Sequence, residues 1–559
     1  MVIDVKKIKV IYDESARNYL DVYAAPGING QIVTVEVPRE DQEPPAVERA
    51  LMRAGADLGP KGDRREGLAA AIATELPVVH RAARTGWHEP RCFVGHNYVS
   101  GTPSNGLTVI PPKLEAAGVA GRLRECGDLV EWRKLLAVAQ HSTLMMVALC
   151  SAFAAPLLTL LHLPSFALMM FGRSRCGKSF AQLAGGSVIG FGTEKELPNL
   201  NATPAGLLAA ALTFNDSLII LNEVGTARGP KRDAYIQLRD TTYHLMDGSD
   251  VIRHPTFNAG ADGAPSTFSS IILLSSELSP DAWAARHGEA RDEGETARLI
   301  GVPALYGGAT TVFDRPPAGL EGADLDRWVR EQYARLRGEL PRQRGVAIGA
   351  YADHLVRRRT KLKKRAKRLV RVFEQKVATP AMSPVARDIV TKFGVLYAGG
   401  VLAVEAGILP LDQSEIRRAV KRACCAAVAE LPDQQAELNT NLATLCARLQ
   451  GGSIIDLDNC TRKDLKQIRQ ADGYRQQEGA GHEFTIRAKI LESWFSDGLQ
   501  VRRLLERLDE EGFLRHQPRA KGKRSNDWAQ KQVSWPDKTR VRSYVLFVPH
   551  GPADLTTMA

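Results

Sequence analysis

The chain has 559 residues, 25% of them charged and 44% hydrophobic, a length and mixture that exclude a disordered or fibrous protein and a single core. At about 150 residues per domain, three or four domains are expected. Lys and Arg number 74 against 63 Asp and Glu, and the pI is near 9.2; this modest basic excess favours a polyanionic partner, nucleic acid or an acidic membrane surface. The eight cysteines are scattered, with Cys424 and Cys425 adjacent and no CxxC pair or Cys/His cluster at zinc spacing. Reduced thiols and a cytoplasmic location are therefore expected.

Residues 1–125 read as a mixed α/β domain, with alternating apolar positions in KKIKVIYD and GQIVTVEVP and a Gly/Pro-rich stretch near its end. The N-terminal MVIDVKKIKVIYDES has no apolar core before a cleavage site, so a secretory signal is not expected. Thr143–Phe171, TLMMVALCSAFAAPLLTLLHLPSFALMMF, is long enough to span a bilayer. Pro156, His162 and Pro164 interrupt it, which predicts a buried helix, a turn at HLP and a buried strand instead. From 126 to 318 helices and strands alternate: strand SFALMMFG, a helix from Lys178, strand SLIILNE and strand TFSSIILLSSE. This is the pattern of an α/β nucleotide-binding core. Residues 319–480 read as helical, and 481–559 as a separate small unit.

Gly172-Arg173-Ser174-Arg175-Cys176-Gly177-Lys178-Ser179 fits GxxxxGK[ST]. The glycines let backbone N–H groups turn inward around phosphate oxygens, Lys178 would pair with the β- and γ-phosphates, and Ser179 would place its hydroxyl on Mg²⁺. The helix that follows offers its positive end to the same anion. An apolar strand ending at Phe171 and a small-residue helix opening at Lys178 give the motif its proper context, so ATP and Mg²⁺ are the expected cofactors.

The strand Ser217–Leu221 ends in Asn222 and Glu223. Glu223 is placed to polarise an attacking water, while Asn222, at a metal-side position where an aspartate is usual, supplies no negative charge. Ser275, at the tip of FSSIILLSSE, is a candidate sensor of the γ-phosphate. Arg298, in GETARLIGVP, lies where one subunit would offer an arginine to its neighbour's nucleotide; an ordinary surface arginine is the alternative.

Arg357–Arg371, RRRTKLKKRAKRLVR, carries ten basic residues and no acid, a predicted helix that phosphates would neutralise; Arg357, Arg358, Arg359, Lys361, Lys363, Lys364 and Arg365 are its nucleic-acid candidates. A solvated helix is the competing reading. In the last unit, FTIRAKILESWF, GLQVRRLLERLDEEGFLRHQ and VRSYVLFVP predict helix, helix and strand, the order of a winged helix. Arg502 and Arg503 sit near the start of the second helix, and Lys521, Lys523 and Arg524 on a basic loop.

With these motifs in place the chain resembles the domain-of-unknown-function family nine-two-seven, AAA+ ATPases often carried by phages and other mobile elements. GWHEPRCFVGHNYVSG at Gly86–Gly101, GRSRCGKS, NATPAGLLAAALTFNDSLIILNEVG, SSELS, GETARLIGVPA and ARDIVTKFGVLYAGGVLAVEAGILP carry the resemblance in order and spacing. It implies an AAA+ P-loop core with an N-terminal α/β domain, a helical lid and a C-terminal winged helix. It also implies kinship with replicative helicases of the minichromosome maintenance type. On that resemblance Arg298 is the arginine finger and Arg387 a lid sensor reaching the γ-phosphate; the family reads LDE where this chain reads LNE. The expected function is an ATP-dependent DNA motor, a helicase or replication-initiation ATPase working on single-stranded or duplex DNA as an oligomer, hexameric ring included, away from membranes. The alternatives are a nucleotide-switched DNA-binding protein with little hydrolysis, and a signalling or defence ATPase.

Overall fold

The computed structural model describes residues 4–549 and 552, apart from 90, 114–119, 199–212, 223–233, 248–267, 288, 290, 432–433, 462–466, 496–497 and 517–525. Contacts divide the chain into two units, Met1–Glu430 and Leu431–Ala559.

The first unit opens with β1 (Lys6–Asp13), β2 (Asn18–Pro26) and β3 (Ile32–Pro38), then helices α1 (Pro44–Arg53) and α2 (Lys61–Ala73), then β4 (Val78–Arg81). β5 (Gly86–Glu89), β6 (Cys92–Val94), β7 (Val99–Gly101) and β8 (Val109–Ile110) follow. One sheet has the order β3-β2-β1-β4-β8 and a small one β5-β6-β7. Val47 and Leu51 of α1 and Leu68 and Ala71 of α2 bury against Tyr23 and Val37, closing one face of the larger sheet. The small sheet is tied to the following segment: the Trp87 indole donates to the Pro156 carbonyl at 2.9 Å, and its backbone N–H to Asp216 at 3.0 Å. These ties keep residues 1–125 in one contact unit with the residues after them.

The stretch long enough to cross a bilayer folds as expected. Helix α3 (Thr143–Ala154), capped by the Ser142 hydroxyl accepting from Met145 N, is buried along its whole length. Close packing explains the burial, because a Cβ on Gly185 would meet the Ala148 carbonyl at 2.8 Å and one on Gly399 the Ala154 nitrogen at 2.5 Å. After a short helix, Leu157–Leu161, His162 takes the left-handed conformation at φ 57° and β9 (Phe166–Phe171) begins. No described helix is long and apolar enough to cross a membrane.

β9, helix α4 (Lys178–Ile189), β10 (Leu218–Leu221), β11 (Ile271–Ser276), the short helix α5 (Glu293–Arg298) and β12 (Leu299–Pro303) build the centre. The four strands form a parallel sheet in the order β10-β11-β9-β12. Their residues are apolar almost throughout, as strands covered on both faces must be. The protein is therefore α/β with a parallel sheet.

Helices α6 (Arg359–Val377), α7 (Pro384–Glu405) and α8 (Gln413–Ala429) complete the unit. Ser383 caps α7 by accepting from Ala386 N, with Pro384 in the first turn where its missing N–H costs nothing. The basic run is not one helix: the preceding helix ends at Arg357, and Arg358 breaks it at φ −127° before α6 starts.

In the second unit, α9 (Gln434–Gln450), α10 (Ala488–Ser493) and α11 (Gly498–Glu510) pack on a sheet of order β13-β14-β15-β17-β16. Its strands are β13 (Ile454–Asp456), β14 (Gly473–Glu478), β15 (Gly481–Arg487), β16 (Gln530–Ser534) and β17 (Arg540–Val548). The β14–β15 hairpin straddles position 481, where the sequence places the start of the last unit. The expected helix FTIRAKILESWF is strand up to Arg487, because Phe484 and Ile486 pair with Leu546 and Tyr544 and fill the core; the helix starts at Ala488.

Candidate functional site

The site lies at the C-terminal ends of the parallel strands. β9 is buried to its last residue but one, and the chain then leaves the sheet through Gly172. Arg175 at φ 61° and Gly177 at φ 105° take left-handed conformations, which turn the loop back on itself. Gly177 is the N-cap of α4, and a Cβ there would collide with the Tyr333 hydroxyl and approach Val312 Cγ2 at 2.9 Å. Only glycine combines that φ with that contact.

The loop is held by its neighbours. Gly172 N donates to Ser276 O at 3.3 Å, Val312 N to Cys176 O at 2.9 Å and the Tyr333 hydroxyl to the same carbonyl at 3.1 Å. The Arg173 guanidinium donates to Thr310 O at 2.5 Å. Cys176 is buried, whereas Arg173, Ser174 and Arg175 are exposed. Lys178 reaches back over the loop and donates to Gly172 O at 2.6 Å and Arg173 O at 3.0 Å. Lys178 and Ser179 open a helix with no acid in its first turn; the N–H groups there lack intrahelical acceptors and carry partial positive charge.

Two strand tips stand beside the loop. Because β11 lies between β9 and β10, Leu274 pairs with Leu221 on one side and Met169 on the other. Ser275 therefore emerges beside Asn222, and its hydroxyl donates to Asn222 Oδ1 at 2.9 Å. Asn222 N donates to Pro198 O at 2.7 Å. Glu223 lies outside the described residues.

Sequence reasoning missed Gln182. It is fully buried one turn into α4, and its amide donates to Leu221 O at 3.2 Å and Leu273 O at 3.3 Å, fixing the helix across β10 and β11. The one available signal was a polar residue in the otherwise small and apolar FAQLAGG.

Arg298 is at the other end of the sheet. Leu299 pairs with Ala167 and Pro303 with Phe171, so Arg298, just before β12, is a strand's length from the loop, about 16 Å at ~3.3 Å per residue. Its guanidinium lies 5.0 Å over the Tyr243 ring. A buried network steadies α5: Arg291 bonds Glu295 at 3.3 Å and Asp281 at 3.1 Å, and the Tyr235 hydroxyl donates to Glu295. Burial pushes the Glu295 carboxyl above its ordinary range. Lys392 of α7 donates to Ala297 O at 2.6 Å and pairs with Asp388 at 2.6 Å. Burial lowers its pKa, with Asp388 opposing. Arg387, earlier on α7, is exposed and donates to Pro380 O at 2.7 Å.

Helix α6 divides its charge. Leu362, Ala366, Leu369, Val370 and Phe373 are buried. Arg359 lies 5.4 Å over the Trp87 ring, Lys363 is 3.1 Å from His162 Nε2, and Arg365 bonds Glu405 at 2.5 Å. Lys361, Lys364, Arg368 and Arg371 are exposed and recur every three or four residues, forming one stripe, with Lys367 exposed beside it. Arg357 is exposed, 3.6 Å from Asp353, and Arg358 is exposed as well.

In the second unit, Arg502 bonds Glu506 at 3.2 Å along α11, and Arg507 bonds Glu511 at 2.7 Å. Arg503 is half-buried. Lys521, Lys523 and Arg524 lie outside the described residues.

A search of curated proteins found no match. Among solved structures, "SCCmec type IV Cch - active helicase" is similar, with a TM-score of 0.63 at 14% identity over 99% of this chain and 94% of that chain. At that identity the likeness is one of fold. The family model described as a domain of unknown function (DUF927) matches residues 41–253, which run from α1 through the loop, α4 and β10 to past the helix Ala234–Asp247. Over that span the chain is similar to the domain-of-unknown-function family DUF927.

Proposed function

We propose that the protein is an ATP-dependent DNA motor of the helicase class, an AAA+ ATPase acting as an oligomeric ring. The observation that carries this reading is the loop Gly172–Ser179, set between a buried strand and the N-terminus of α4 with Lys178 folded over it. The solved structure similar in fold bears the name of an active helicase.

In this reading the loop N–H groups and the start of α4 bind the β- and γ-phosphates, and Lys178 exchanges its two loop carbonyls for phosphate oxygens. The Ser179 hydroxyl and Asn222 would hold Mg²⁺, which when bound neutralises phosphate charge; Asn222 offers an oxygen without charge. Glu223 orients the attacking water and takes its proton, and Ser275 senses the γ-phosphate through Asn222. Arg298, a strand's length from its own loop, serves the nucleotide of the next subunit. Arg387, on the helix that docks beside it through Lys392, belongs to the same subunit boundary.

The α6 stripe takes DNA phosphates. The helix, helix and hairpin order of the second unit supports a winged helix. On α11 Arg502 is engaged within the helix, which leaves the hairpin and the basic loop of Lys521, Lys523 and Arg524 as the DNA contact. α6, α7 and α8 form the lid.

A second reading, a nucleotide switch with little hydrolysis, is favoured by the neutral side chain of Asn222. ATP turnover with and without single-stranded and duplex DNA separates the two. The motor reading expects measurable, DNA-stimulated turnover that Glu223→Gln abolishes while ATP binding persists. Absence of native turnover under every DNA condition would sink it.

A further inference from the structure

A cavity of about 540 Å³ lies apart from the loop. Gln140, His141 and Thr143 form one wall, Arg315 to Ala318 another, and Glu415, Arg418, Ala419 and Arg422 of α8 the third. None of residues 172–179 lines it.

Its charge is unbalanced. Three guanidiniums face two carboxylates. Asp314 has its side chain completely buried and accepts from Thr143 N and Thr143 Oγ1, both at 2.7 Å, and from Arg422 at 2.9 Å. Glu415 is shared between Arg315, at 2.7 Å, and Arg418. The Arg315 Nε is buried without a hydrogen-bond partner. Burial, and then the neighbouring Arg418 and Arg422, draw the Arg315 guanidinium below its ordinary range against the pull of Asp314. Crowded cations with donors in excess of acceptors are what a bound oxyanion relieves, and guanidinium forks match phosphate oxygens two at a time. The volume suits a ligand of nucleotide size.

We infer that this cavity is an oxyanion site, separate from the phosphate loop, which takes the phosphate groups of a second ligand between Arg315, Arg418 and Arg422. The segment Thr310–Arg315 joins the two places. Thr310 O accepts from Arg173 and Val312 N donates to Cys176 at the loop, while Arg315 N donates to His141 O at 3.1 Å and Arg315 O meets His141 Nδ1 at 2.8 Å at the cavity. Occupancy of the cavity should therefore change nucleotide affinity at the loop.

Inorganic pyrophosphate is the probe, and binding is measured by equilibrium dialysis on the full chain. Lys178→Ala weakens the loop's own hold on phosphate, although Arg173 and Arg175 remain there, so the part of that variant's pyrophosphate binding that depends on Arg418 and Arg422 reports the cavity. The variant is expected to retain saturable binding, weakened tenfold or more by adding Arg418→Ala and Arg422→Ala. Arg422→Lys alone, which keeps charge and loses the fork, should weaken it by a smaller factor and guards against misfolding of the double variant. Loss of pyrophosphate binding in Lys178→Ala, or equal binding after the two arginines are removed, would overturn the inference. Competition sets the source: displacement by a short single-stranded oligonucleotide assigns the cavity to nucleic-acid phosphates, and displacement only by nucleoside phosphates to a small ligand. Failure of the loop to bind ATP would instead count against the proposed function and leave this result standing.

Discussion

Ser275 and Asn222 stand on adjacent parallel strands and share a hydrogen bond, Oγ to Oδ1 at 2.9 Å. An aspartate at 222 would accept the same bond and add the charge that a metal position usually has. Asn222→Asp is therefore expected to keep or raise ATP turnover and to lower the Mg²⁺ concentration at half-maximal rate. A Mg²⁺ titration of steady-state hydrolysis checks this; a fall in turnover at saturating Mg²⁺ refutes it.

Gly177 has no tolerant substitution. Its φ of 105° and the closeness of Tyr333 and Val312 mean that Gly177→Ala strains the backbone and displaces Tyr333. A loss of about 1–3 kcal/mol is expected in denaturant unfolding, together with weaker nucleotide binding.

The distance between Arg298 and its own loop predicts complementation between subunits. Lys178→Ala and Arg298→Ala chains should each be nearly inactive, Arg298→Ala by about 10³-fold. Mixed together they should recover activity, since each supplies what the other lacks. Mixtures no more active than the sum of their parts would place Arg298 elsewhere than at a shared site.

Along α6, Lys361→Glu with Arg368→Glu should weaken DNA binding and reduce the salt slope by about two, leaving DNA-free turnover unchanged. Arg365, bonded to Glu405, should affect stability more than the slope. Binding titrations at several salt concentrations distinguish the two.

Two buried groups oppose each other in acid. Burial lowers the His96 pKa to about 4 and raises that of Asp216 to about 6. His96 contributes stability that is present above its ordinary pKa near 6.5 and lost as pH falls toward 4. Asp216 works the other way: its contribution is present below its ordinary pKa near 3.8 and lost as pH rises through 6. Asp216→Asn should remove the second slope, leaving a steeper loss of stability between pH 6.5 and 4 than in the native chain. Thermal unfolding across that range measures it.

The loop was legible because its eight residues are consecutive and its chemistry is local. So was the helix, turn and strand before it, because prolines mark the turn. The meeting of Ser275 with Asn222 was not, since it depends on β11 entering between β9 and β10, a pairing fifty residues apart that no periodicity encodes. The basic run was legible only in part. Charge density is visible in the letters, but the engagement of Arg359, Lys363 and Arg365 by Trp87, His162 and Glu405 comes from tertiary packing. In the second unit FTIR alternates as a strand does, and its continuation into a helix concealed the boundary at Arg487.

β12 is five residues long. Its last residue pairs with Phe171, Ala304 N donates to Phe171 O at 2.8 Å beside the loop, and Arg298 sits at its other end. In the proposed ring it would act as a pushrod: movement of the loop on loading or release of phosphate is delivered along one stiff strand to the arginine that serves the next subunit. Sequential firing around the ring then needs no large domain swing. Softening that rod, by a bulge or an inserted residue within Leu299–Pro303, should leave every site able to bind ATP but uncouple each from its neighbour.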